Sequence, residues 1–236
     1  MIKYIQIGNI SLQNENGKEV EPMEKEITRR NFLKKSLIIA TTSGLLLCGG
    51  TTAIATYKPD VDKPTKNFGD VKMQNKTLIA YASKAGSTIE IATHLAEMLS
   101  SKGIQVDLIP VEKVTDLSEY QSVILGSAIR VGRILPEAMK FVENYQIELQ
   151  SKTFGIFIVC MTLNQDTEEN RKIVSDYLIP VRALVKPASE GMFAGVMDLK
   201  KLNLLEKLIM KSMKAPLGDF RDWEKIETWG GLVSLN

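Results

Sequence analysis

The chain has 236 residues, 44% of them hydrophobic and 25% charged, a composition typical of folded domains and not of disordered segments. A formal charge of +2 argues against a phosphate-tracking nucleic-acid binder. One histidine, His94, excludes a multi-histidine metal site, and two cysteines, Cys48 and Cys160, make neither a disulfide framework nor a zinc knuckle.

Charge is distributed unevenly. Residues 1–35 carry seven basic and five acidic side chains, residues 36–57 carry none, and the rest balances at 23 of each. Residues 1–27 read as an extended polar leader. The segment Thr28-Arg29-Arg30-Asn31-Phe32-Leu33-Lys34 resembles the twin-arginine export motif, which is read by a receptor and carries folded cargo across the membrane. The uncharged run that follows is 22 residues long, but ten of them are Ser, Thr or Gly, poor material for a permanent span. Ala53-Ile54-Ala55 has the small-x-small pattern of a signal-peptidase site. Residues 1–56 are therefore expected to be a twin-arginine-type signal or, uncleaved, an N-terminal membrane anchor. Leu45-Leu46-Leu47-Cys48 is a poor lipoprotein box, because Leu47 is too bulky before the cysteine. Residues 57–75, with Pro59, Pro64, Gly69 and several charges, read as a linker.

Residues 76–236 suffice for one well-buried domain. Thr77–Ala82 is a short apolar run and predicts the first strand. Thr88 to Lys102, with Ile91, Leu95, Met98 and Leu99 at helical spacing and Gly103 behind them, predicts the first helix. Strands follow at 104–111 and 122–126, the latter continuously apolar as in a strand covered on both faces. Pro136 opens a helix to about Leu149. A fourth strand is expected over 154–161, a helix over 168–184, a fifth strand over 192–197 and a helix from about Trp223. Strands separated by helices imply an α/β, doubly wound five-stranded parallel sheet with helices on both faces.

In such sheets ligands bind beyond the carboxyl ends of the strands, where strand order reverses. Ser83-Lys84-Ala85-Gly86-Ser87-Thr88 lies there, between strand one and helix one. Small residues opening a helix offer backbone N–H groups, hydroxyls and the positive helix end to a phosphate. The competing reading is a plain helix cap by Ser87 or a neighbour. No Gly-Lys-Ser/Thr and no Gly-x-Gly occurs anywhere, so a monophosphate fits better than a nucleoside triphosphate or a dinucleotide.

The loop resembles the flavodoxin phosphate loop, Ser/Thr-x-Thr-Gly-x-Thr: Ser83, Gly86 and Thr88 match, and Ala85 stands where a threonine is usual. Val123 to Gly132 is similar to the matching stretch of flavodoxin-type, quinone-dependent protoporphyrinogen IX dehydrogenases. The likeness continues at Ala194-Gly195, Leu208–Lys211 and Asp222-Trp223-Glu224. The resemblance implies a flavodoxin-like fold and bound FMN. Its phosphate would lie on residues 83–88, and its ring between Ala128, Ile129, Arg130, Val131 and Gly132 and the loop after strand four, Cys160 to Gln165, with Met161, Thr162, Leu163 and Asn164. No aromatic stands near Val131, where the related dehydrogenases have one. Arg130 is a candidate tuning residue, since a cation near the ring stabilises its reduced form; the alternative is a surface ion pair. No protein side chain is expected to be catalytic, because the flavin carries the chemistry. Cys160 reads as a small core residue and His94 as an ordinary helix side chain.

Residues 199–214 place Leu202, Leu205, Leu208, Ile209 and Met213 in one stripe, with Lys200, Lys201, Lys207, Lys211 and Lys214 against the single Glu206. Such a helix packs its stripe on the core or lies on an anionic membrane. The resemblance implies an exported FMN-dependent oxidoreductase passing reducing equivalents from an organic substrate to a membrane quinone. Two alternatives stand beside it: an electron carrier serving a redox partner protein, and a module that has lost its flavin.

Overall fold

In a computed structural model, residues 61–70, 75–212 and 215–233 are described. The arginine pair, the uncharged run, Cys48, Met213 and Lys214 lie outside the described residues. The elements run β1 (Lys66–Phe68), β2 (Lys76–Ala82), α1 (Ser87–Ser101), β3 (Gln105–Pro110), β4 (Ser122–Arg130), β5 (Arg133–Ile134), α2 (Pro136–Asn144) and α3 (Gln146–Gln150). They continue with β6 (Thr153–Val159), α4 (Glu168–Asp176), α5 (Ile179–Arg182), β7 (Ser189–Phe193), β8 (Val196–Met197), α6 (Leu204–Ser212), β9 (Gly218–Asp219) and α7 (Trp223–Val233).

Five parallel strands lie in the order β3-β2-β4-β6-β7, the expected doubly wound arrangement. Strand order reverses beside β2, so the loops after β2 and β4 meet at one end of the sheet. Alternation along the strands divides the core into two layers. Leu78, Ala80, Val123, Leu125, Phe154, Ile156 and Ile158 face one side, with Phe141 and Val142 of α2 and Val174 of α4. Ile79, Tyr81, Ile124 and Phe157 face the other, with Leu95 and Leu99 of α1 and Trp229 of α7. Gly126 is a packing requirement, because a Cβ there would lie 2.3 Å from the Phe157 ring of the paired strand.

The described part of the expected linker is not a linker. β1 pairs antiparallel with β3 and covers what would be an open sheet edge. The Tyr81 hydroxyl donates to the Pro64 carbonyl at 2.7 Å, fastening the segment from beneath. Two expected helices are broken. The 136–149 helix divides at Tyr145, whose φ of −112° leaves helical geometry. The 168–184 helix stops at Asp176 and resumes at Ile179, because Pro180 has no N–H to donate and would crowd the carbonyl one turn earlier. The fifth strand begins three residues before the expected start, at Ser189, and ends at Phe193; Val196 and Met197 leave the main sheet to pair with β9.

Asp107 of β3 ties the covered edge together. It is 4% exposed and accepts from Asn67 Nδ2 on β1 at 2.6 Å and from the Tyr120 hydroxyl at 2.8 Å, with the Lys76 ammonium 2.8 Å away. Burial pushes its pKa up, but hydrogen bonds from Lys76, Tyr120 and Asn67 outweigh that and hold it below the ordinary carboxylate value. A carboxyl with a depressed folded pKa contributes stability above its unfolded pKa of roughly 4 and loses it as pH falls through the folded value. Asp107→Asn is therefore expected to cost about 2 kcal/mol at pH 7 and to flatten the acid limb of the stability profile. Urea melts between pH 2.5 and 7 check both.

Candidate functional site

The phosphate-loop candidate has the geometry of an open helix end. Gly86 is the residue before α1, at φ +96°, and no side chain caps the helix. The plain-cap alternative is thereby excluded. Ser83 Oγ accepts from the Gly86 amide at 3.2 Å and holds the loop closed. The Ile89 and Glu90 amides bond the Gly86 carbonyl, and no capping side chain meets those of Ser87 and Thr88. Thr88 is 0% exposed and its hydroxyl has no hydrogen-bond partner. Leaving such a group unmet costs about 1–3 kcal/mol, and an anionic oxygen in the cavity beside it removes that cost.

A cavity of about 480 Å³ opens from this loop. Ser83, Lys84, Ala85, Ser87 and Thr88 line it, together with Ala128 through Gly132, Cys160, Met161 and Thr162. The three loops expected to meet do meet. Gly86 itself faces an outer groove shared with Glu90, His94 and Trp223. Its role is to turn the loop. Leu163 has its side chain buried in the core beneath the loop, and Asn164 is not among the cavity-lining residues; of the turn at 161–164, Met161 and Thr162 line it. Cys160 is buried in the core as expected and also borders the cavity, its thiol hydrogen-bonded to the Thr162 hydroxyl at 3.2 Å. His94 lies outside the cavity, 2.9 Å from Glu227.

The 128–132 segment is the end of β4 and the tip of a hairpin with β5. Ile129 pairs with Ile134 and Arg130 with Arg133, which leaves a two-residue turn, Val131-Gly132, with φ +50° and +70°. Positive φ at both positions belongs to a type I′ turn, where Asn-Gly is favoured and a β-branched residue is strained. Val131 projects wholly into solvent, 100% exposed. Lys84 from the first loop pairs with Glu137 at 2.5 Å. Burial raises the pKa of Glu137, but the bond from Lys84, a backbone hydrogen bond and the charges of Lys84 and Lys63 together bring it below the ordinary carboxylate value.

A fourth wall was not anticipated. Between β8 and β9 the chain crosses the cavity mouth, and Leu202, Glu206, Ile209 and Met210 face inward. Glu206 has two tasks. One oxygen accepts from Asn203 N at 3.0 Å while Asn203 Oδ1 accepts from Glu206 N at 2.8 Å, a capping box at the start of α6. The other accepts from Arg130 Nη1 at 2.6 Å. The signal for this was the spacing Asn203-x-x-Glu206 before an apolar run. Arg130 is thus an ion-pair member and a cavity residue at once. Tyr177, from the break after α4, is another lining residue outside the expected set, as are Val196, Met197 and Asp198; its ring lies beside Gly132, where a Cβ would be 3.4 Å from Cε1.

The family model described as Flavodoxin domain matches residues 78–223. Protoporphyrinogen IX dehydrogenase [quinone] of Escherichia coli (strain K12) is 24% identical over 165 residues, covering 64% of this chain and 90% of that protein. The protein of the same name from Leishmania major is 22% identical over 156 residues, covering 64% of this chain and 67% of its own. Among solved structures, oxidised flavodoxin 1 of Bacillus cereus is 17% identical and aligns over 69% of this chain and 99% of its own, with a TM-score of 0.45. The family match points to FMN as the cofactor, and the uncapped helix with its unpaired Thr88 hydroxyl fits a phosphate. Thr88→Val keeps the shape and removes the hydroxyl. Roughly tenfold weaker FMN binding is expected, with apo-protein stability unchanged or raised, because the unmet group disappears. Titration by flavin fluorescence and thermal melts of the apo-protein check the two halves.

Proposed function

The chain belongs to the flavodoxin family, and on that premise we propose that it is an exported FMN-dependent oxidoreductase that passes reducing equivalents from an organic substrate to a membrane quinone. Bound FMN supplies the electron-transfer chemistry; the protein positions it, tunes it and controls access. The observation that carries the enzyme reading is the segment across the cavity mouth. A pure carrier is served by an open edge. Here Leu202, Ile209 and Met210 add an apolar wall opposite the three loops, giving a compartment suited to an apolar organic molecule beside the flavin. The similarity to protoporphyrinogen IX dehydrogenases of Escherichia coli and Leishmania major supports the same reaction class.

The outer face of α6 supports the membrane. Expected to pack its stripe on the core, α6 buries no residue at all; Leu204, Leu205 and Leu208 are each more than half exposed. Lys200, Lys207 and Lys211 accompany them, while Lys201 turns back to Glu90 at 3.5 Å. Exposed leucines with flanking lysines suit the surface of an anionic bilayer, where a quinone is found. The carrier alternative has one observation in its favour: the exposed Val131 tip offers a redox partner direct approach to the hairpin.

Each lysine near anionic lipid contributes about 1 kcal/mol. Changing Lys200, Lys207 and Lys211 to Gln should therefore weaken vesicle binding of a chain starting at Lys58 by roughly a hundredfold at low salt. Sedimentation with anionic vesicles measures this. Multiple turnovers of a short-chain quinone by the FMN-loaded protein, driven by an artificial reductant, are expected alongside. Neither vesicle binding nor quinone turnover would leave the carrier reading standing.

Export belongs to the same reading. A domain that encloses its cofactor in the cytoplasm has to cross the membrane folded, which the twin-arginine route permits. Arg29→Lys with Arg30→Lys preserves charge, so a general secretory signal should tolerate the change and a twin-arginine signal should not. Cell fractionation is expected to find the double variant retained inside; unaltered export would reject the route.

A further inference from the structure

We propose that Tyr177 is the aromatic side chain that contacts the flavin ring in this protein. The inference rests on the FMN reading above and extends it to a residue that no motif marks. The loop position where an aromatic was looked for holds Val131, and that side chain stands entirely in solvent. Tyr177 arrives from elsewhere in the sequence, at the end of α4, and is the aromatic residue lining the cavity among the described residues. It meets the hairpin from the inside. A Cβ on Gly132 would be 3.4 Å from Tyr177 Cε1 and 3.6 Å from its hydroxyl, ordinary contact distances, so the phenol lies directly against the hairpin tip.

The placement has a local cause. Had α4 run on as a regular helix, Tyr177 would be an ordinary turn residue over Val174. Instead the helix ends at Asp176, with Tyr177 as its terminal residue at φ −67° and Pro180 opening the next turn. Val174 and Leu178, on either side, are both fully buried and fix the backbone there. The phenol is therefore held by two core anchors while its ring borders the cavity. A planar, electron-rich ring in that position contributes contact area and selects for a flat ligand.

The test uses the full chain and FMN itself, with Tyr177→Phe and Tyr177→Leu. A phenol in contact with flavin quenches its emission strongly, and a phenyl ring does so much less. The wild type is expected to bind FMN with its emission nearly abolished. Tyr177→Phe should bind about as tightly yet leave the bound flavin visibly brighter. Tyr177→Leu should be bright and bind roughly three- to tenfold more weakly, the range of one aromatic pair. A residue with a purely structural role would change melting temperature and affinity but not the brightness of bound flavin. If Tyr177→Phe leaves the bound flavin as dark as the wild type, the assignment is overturned. If the wild type binds no FMN, the cofactor reading fails and this inference falls with it, an outcome separate from the first.

Discussion

A hydroxyl sealed away from water at the first turn of a helix requires a partner, and Thr88 has none in the protein itself. That single unmet group organises the site. It lies where β2, a central strand bordered by β3 and β4, passes into α1. Gly86 makes the turn in a left-handed conformation that a side chain would strain. Ser83 Oγ accepts from the Gly86 amide and closes the loop. What remains is a helix end with free amides and a free hydroxyl, and it faces a cavity whose other walls come from loops of the same sheet edge. An anion is the natural complement.

The segment across the mouth depends on a different economy of groups. A nine-residue helix with no buried side chain has little packing energy of its own and relies on its ends. Glu206 completes the capping box with one oxygen and reaches Arg130 with the other. The helix is thereby attached to the hairpin tip through a single carboxylate. Flavin-side electrostatics and the position of the roof are coupled through that residue, which is 27% exposed and so only partly screened by solvent.

The strand–helix alternation, the five parallel strands and the three converging loops were legible, because buried parallel strands write continuous apolar runs and a helix writes a 3.6-residue period. Three things were not. The edge strand β1 is only three residues long, too short to show a pattern, and is held by the Asn67–Asp107 bond across the sheet and by Phe68 against the core. The division of the loop after β6 into inward Met161 and Thr162 and core-facing Leu163 depends on one turn of tight helix that composition does not specify. Tyr177 is separated from the hairpin it touches by about 45 residues of sequence, and long-range contact leaves no local trace. By contrast, the basic amphipathic segment was visible, and its apolar stripe divides: Leu202 and Ile209 turn to the cavity while Leu205 and Leu208 are left outside.

Val131 is the residue that local physics would not choose. A type I′ tip asks for Asn or Gly, and a β-branched side chain at positive φ costs on the order of 1 kcal/mol. Its side chain buries nothing in return, being wholly exposed. A strained residue with no packing reward at the mouth of a cavity marks a position held for what happens there. An aromatic at the same place would fold over the opening and shield it; an asparagine would relieve the strain but offer polar groups to whatever approaches. Valine does neither. It leaves the hairpin tip short, apolar and uncovered, with Tyr177 lining the cavity behind it and the inward apolar side chains of the α6 segment opposite. The resulting entrance is apolar at Val131, Leu202, Ile209 and Met210, with the Arg130–Glu206 ion pair set among them.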